Sequence, residues 1–102
     1  MSEEEYDALR QQLQVEMTQK QTLQLQYNEI KKTLEEIEKS TDDEQLFEFV
    51  GQILISKGKK ELSSMLKEKI EILEFRLKTA TKAVDESTRK LQETQKSLEK
   101  KN

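Results

Sequence analysis

The chain contains two glycines, Gly51 and Gly58, both in its middle fifth, and no proline. Backbone-breaking residues therefore cluster in one place and separate two long uninterrupted arms. Residues 2–40 and 61–101 carry helix-type apolar spacing, and strand character appears only in the 41–60 segment between them. Arms of nearly equal length around a central β segment predict a chain that folds back on itself as a single domain, 1–102. That layout leaves little room for an enclosed active site, and so points to holding rather than catalysis.

The first arm has a regular seam. Alternating steps of three and four back from Ile37 meet Leu34, Ile30, Tyr27, Leu23, Lys20, Glu16, Leu13, Leu9 and Tyr6, and the step never slips. A heptad seam of this kind predicts a left-handed coiled coil. Ser2 and Glu5 match a capping box, which starts the helix at residue 2 or 3. The second arm repeats the pattern through Leu66, Ile70, Leu73, Leu77, Ala80, Val84, Ser87, Leu91, Thr94 and Leu98, with weaker core residues at Ala80, Ser87 and Thr94. Antiparallel pairing places Ile37 near Leu66, Ile30 near Leu73 and Leu13 near Leu91. It also sets the polar seam residues Glu16 and Lys20 opposite Ser87 and Val84. The weak parts of the two seams coincide, which predicts a soft or register-setting polar layer. Acid-first i,i+4 pairs, such as Glu16/Lys20, Glu35/Lys39, Glu74/Lys78, Asp85/Arg89 and Glu86/Lys90, read as a solvated helix face.

Composition narrows the function. The chain is 32% hydrophobic and 38% charged, which fits long helices better than a large compact core. Disorder is the competing reading of so polar a chain, and the regularity of the seam argues against it. There is no Cys and no His, so disulfides, thiol chemistry, zinc fingers and His-based acid–base catalysis are excluded. Asp42-Asp43-Glu44 lacks the spaced ligands and central Gly of a calcium loop and reads as the end of the first helix, with Thr41 and Glu44 as a local cap. No phosphate-binding Gly-rich loop is present. Lys57-Gly58-Lys59-Lys60 reads as a solvated connection. These features predict a non-enzyme without metal or cofactor. Net charge is −3, which gives no general attraction to nucleic acid. Residues 1–40 carry a net −4 and residues 61–102 a net +2, so the arms attract weakly. No apolar run reaches membrane-spanning length and the first residues are acidic, which predicts a soluble cytoplasmic protein with no membrane partner. The lack of Cys is compatible with a reducing cytosol.

The central QLFEFVGQILIS, Gln45–Ser56, predicts two short strands with a tight turn at Gly51; a turn at Lys57-Gly58 is the alternative. Its apolar residues, Leu46, Phe47, Phe49, Val50, Ile53, Leu54 and Ile55, fall on both faces of such a hairpin. A two-stranded hairpin is marginal in water and presents two unpaired edges. The favoured expectation is that hairpins from several subunits share a sheet or barrel through these seven residues. The alternative is that Met65, Ile72 and Phe75 fold over the hairpin.

The residues DDEQLFEFVGQILISKGKKELSSMLKEKIEILEFRL, 42–77, resemble the beta-class subunit of prefoldin. The resemblance rests on Asp42-Asp43, the Phe47–Gly51 stretch, the Ile53-Leu54-Ile55 strand and the run from Leu66 to Leu77. Outside the centre it holds only by pattern, and a proline-containing N-terminal lead is missing. It implies a mainly α fold: an antiparallel two-helix coiled coil whose central β-hairpin joins an intersubunit barrel. It further implies an ATP-independent chaperone hexamer of two alpha-class and four beta-class subunits. Such a complex holds unfolded proteins at the arm ends and delivers them to a group II chaperonin. Tyr6, Leu9, Leu13, Leu91 and Leu98, outward of the polar layer, together with the off-seam Val15 and Met17, are the candidate client contacts. For the five seam residues, packing on one another is the plainer role. The competing function is a structural or adaptor coiled coil that oligomerises through its hairpin.

Overall fold

A computed structural model describes residues 2–41 and 46–100. The element order is helix α1 (Glu3–Lys39), strands β1 (Leu46–Val50) and β2 (Ile53–Lys57), and helix α2 (Lys59–Lys100). Asp42, Asp43 and Glu44, read from sequence as a helix stop and cap, lie outside the described residues.

Helix α1 begins where the capping box places it. The Glu5 amide donates to Ser2 Oγ at 3.2 Å, and the Tyr6 amide to the Ser2 carbonyl at 3.1 Å. Glu3, Glu4 and Glu5 fill its first turn, where carboxylates complement the helix dipole. All ten seam positions predicted for α1 are half-buried, and every other described residue of that helix is exposed. The seam positions of α2 are likewise half-buried or buried. A strict three–four repeat on both helices, with most other positions polar, is the pattern of coiled-coil pairing.

The two strands pair antiparallel in the register Leu46↔Lys57, Phe47↔Ser56, Glu48↔Ile55, Phe49↔Leu54 and Val50↔Ile53. A two-residue loop, Gly51-Gln52, joins them. Gly51 has φ of +64° and no other described residue has positive φ, which is the type II′ pattern with glycine at the first loop position. The turn therefore falls at Gly51; Gly58 instead supplies the carbonyl that the Leu62 amide bonds at 3.0 Å in the first turn of α2.

The chain divides into two compact units, and their interiors differ in kind. Among the described residues the buried apolar side chains are Leu62 and Leu73, 7% and 6% exposed, both within residues 25–74. Within this unit the helices run antiparallel: Tyr27 Oη donates to Glu74 Oε1 at 3.1 Å, and Lys67 pairs with Glu38 at 3.6 Å. Lys31 sits over the Tyr27 ring, 5.3 Å from its centroid. Residues 1–24 with 75–102 form the other unit, whose buried side chains, Ser87 and Thr94, are both polar and each 5% exposed. Thr94 satisfies its hydroxyl inside its own helix by donating to the Lys90 carbonyl at 2.8 Å. Ser87 satisfies its hydroxyl on α1, donating to the Glu16 carboxylate at 2.7 and 3.1 Å. The polar layer expected between Glu16 and Ser87 is thus a direct hydrogen bond.

None of the five i,i+4 pairs anticipated from sequence forms an ion pair among the described residues. Glu16 and Glu74 turn to hydroxyls on the other helix. Exposed pairs of long side chains gain too little to hold one geometry.

Candidate functional site

Two surfaces carry the residues singled out by sequence. The first is the hairpin. Strand alternation puts Leu46, Glu48, Val50, Ile55 and Lys57 on one face, and Phe47 and Ser56 on the other. Apolar side chains are exposed on both faces: Val50 is 51% and Ile55 39% exposed on the first, and Phe47 49% on the second. The described sheet has two strands, so the outer edge of each is unpaired among the described residues. Phe49, Leu54 and Ile53 occupy ladder positions in the same register. Self-coverage by α2 is partial: Met65 reaches Lys57 at the hairpin's foot, whereas Ile72 and Phe75 are 52% and 71% exposed.

Charge at the hairpin's foot holds it to α2. Lys57 Nζ lies 3.2 Å from Glu61 Oε1, in the first turn of α2, and 3.5 Å from Glu48 Oε2 across the ladder. Glu48 Oε2 is buried and lies within ion-pair distance of Lys57. Met65 Sδ lies 4.0 Å from the same ammonium. Lys59, the first residue of α2, donates to the carbonyls of Glu38 at 3.2 Å and Ser40 at 2.6 Å, satisfying acceptors that the end of α1 would otherwise leave open. Lys57 and Lys59 are therefore structural contacts, where the sequence reading made them a solvated connection.

The second surface lies in the unit formed by residues 1–24 and 75–102. Leu13, Met17 and Leu91 line an open cleft of about 470 Å³ with Asp7, Arg10, Gln11 and Gln14. Tyr6 and Leu98 line another, of about 340 Å³, with Glu3, Asp7, Gln95 and Glu99. The seam residues Tyr6, Leu9, Leu13, Leu91 and Leu98 are half-buried. Val15 and Met17 are 57% and 50% exposed. Two residues apart on a helix, they project from opposite flanks, and only Met17 joins the cleft. Among the described residues no cluster of acidic side chains could hold a metal ion, and no helix is long and apolar enough to cross a membrane.

The family model described as prefoldin subunit matches residues 2–102. This chain belongs to the prefoldin family. Its similarity is to the beta subunit. It is 40% identical to prefoldin subunit beta of Pyrococcus furiosus over 85% of this chain and 74% of that one. It is 40% identical to that of Thermococcus kodakarensis over 90% of this chain and 75% of that one. The crystal structure of the prefoldin beta subunit from Thermococcus strain KS-1 superposes with a TM-score of 0.89 at 35% identity, covering 94% of this chain and 84% of that one. The beta2 subunit from the same strain, 17% identical with a TM-score of 0.81, shares the fold. The beta-class resemblance drawn from residues 42–77 is thus shown.

Two predictions follow from these prefoldin contacts. Replacing Ser87 with Ala leaves a half-buried Glu16 carboxylate without its donor, at an expected cost of about 1 kcal/mol. Replacing Glu16 with Leu in the same chain should recover that loss, because an apolar pair fills the layer; thermal denaturation of the single and double variants checks this. The other concerns pH. The hydrogen bond to Glu61, then the charges of Glu61 and Glu48, raise the Lys57 pKa above its ordinary value of 10.5. A raised lysine pKa gives stability that is complete below the unfolded value and is lost as pH climbs through the folded one. The thermal midpoint should therefore decline above pH 10.5 by a component that Lys57→Met removes. An identical alkaline decline in the variant would dismiss this role.

Proposed function

We propose that this chain is the beta-class subunit of an ATP-independent holdase. Hairpins from two alpha-class and four beta-class subunits join into a barrel through Leu46, Phe47, Phe49, Val50, Ile53, Leu54 and Ile55. The arm ends hold unfolded proteins through Tyr6, Leu9, Leu13, Val15, Met17, Leu91 and Leu98 and pass them to a group II chaperonin in the cytoplasm. The observation that carries the reading is a two-stranded sheet with Phe47, Val50 and Ile55 exposed on both faces and both edges open. Such a sheet is stable when other strands complete it.

The holding role draws support from the polar interior of the 1–24/75–102 unit. Ser87 and Thr94 occupy core positions where leucines would lock the helices, so parting them there forfeits little apolar burial. Parting exposes Leu13 and Leu91, while Met17 is already accessible and adapts to varied partners. The test is aggregation of a heat-denatured protein, followed by light scattering without nucleotide, with the chain co-expressed with an alpha-class subunit. Suppression is expected. Assembly without suppression would favour a structural adaptor.

A further inference from the structure

From Gln11 to Gln24, α1 carries only two charged residues, Glu16 and Lys20, and both are seam positions. In a chain that is 38% charged, the exposed surface of this stretch is instead Gln, Thr, Val and Met. A solvated coiled-coil flank ordinarily carries charges of both signs, so their replacement by carboxamides calls for a reason. On one flank Gln14, Thr18, Gln21 and Gln24, with Met17, Lys20 and Val84, line an open groove of about 400 Å³. Gln14 and Met17 continue it into the cleft that ends at the Asp7–Arg10 ion pair, so the acidic and basic groups there are already matched. The Gln14 and Gln21 carboxamides have no protein partner among the described residues; Thr18 donates to the Gln14 main-chain carbonyl at 3.0 Å.

A carboxamide offers the same kinds of group as a peptide, an amide N–H donor and a carbonyl acceptor. It loses far less on desolvation than an ammonium or carboxylate. We infer that this groove binds the extended main chain of an unfolded polypeptide, with Gln14 and Gln21 hydrogen-bonding its peptide groups and Met17 and Val84 contacting its side chains. Gln14 and Gln21 are two helical turns apart, roughly 10 Å, a distance spanned by about three residues of extended chain. Recognition of the backbone explains why Lys20 is the one charged residue lining the groove among the described residues, since a more charged flank would sort clients by their own charge. The inference rests on the holdase reading and names what that surface reads.

The test uses the full-length chain co-expressed with an alpha-class subunit and, as probe, fluorescently labelled, reduced and carboxymethylated α-lactalbumin, which stays unfolded. Gln14→Met with Gln21→Met keeps side-chain length and removes the amides. All these positions are exposed, so helix content by circular dichroism should match the wild type. Losing net hydrogen bonds should weaken probe binding about tenfold, whereas Gln12→Met with Gln19→Met on the other flank should leave it unchanged. Equal or tighter binding by the Gln14/Gln21 variant would mean a purely apolar surface and overturn the inference, with the holdase reading intact. A wild-type complex that does not bind the probe would overturn both.

Discussion

Replacing Phe47 and Ile55 with serine should dismantle the proposed assembly and leave the helices in place. Both side chains are exposed, on opposite faces of the hairpin, so the substitutions remove little from the chain's own interior. In an assembly they would be covered, and burial of each contributes roughly 1.5–3 kcal/mol. In the proposed assembly two such losses fall in every hairpin, so they should add up around the shared sheet. The expected readout is a fall in mass by light scattering with unchanged far-ultraviolet circular dichroism. An assembly of unchanged mass would mean that subunits associate through some other surface, and the exposed α2 residues Ile72 and Phe75 would then be examined first.

Trimming residues 2–13 together with 91–102 should have the opposite phenotype. It removes Leu9 together with Tyr6, Leu13, Leu91 and Leu98, and the last four supply most of the apolar lining of the two clefts. It touches no residue of the hairpin, so the assembly should keep its stoichiometry. Losing several apolar contacts at once should raise the amount of complex needed to suppress aggregation by about tenfold or more. A trimmed complex that protects as well as the full-length one would place client binding elsewhere, such as on the alpha-class subunits.

Much of this architecture was legible because it repeats. The seam from Tyr6 to Ile37 is a heptad pattern, and a periodic signal survives two polar interruptions; its polar layer was placed correctly at Glu16 and Ser87 because register follows from counting. The hairpin was legible because Gly51 alone supplies the left-handed backbone its turn requires. Contacts that depend on where single side chains reach were not. Lys57 and Lys59 look like any basic linker until β2 runs through Lys57 and α2 starts at Lys59. Leu62 is buried although the seam count began at Leu66; it lies one i,i+4 step before that residue, a spacing the three–four alternation passes over. The glutamine-lined groove gave no signal because uncharged polar residues on a helix match solvent exposure and binding equally well. Val15 and Met17 were grouped by sequence, whereas helix geometry sends them to different flanks.

On the proposed reading the exposed hairpin is an assembly surface shared with alpha-class subunits. Native mass spectrometry of the full-length chain, alone and after co-expression with an alpha-class prefoldin subunit, tests it most directly. The expected species is a complex containing four copies of this chain and two of the partner. A chain that remains monomeric under both conditions would contradict that reading.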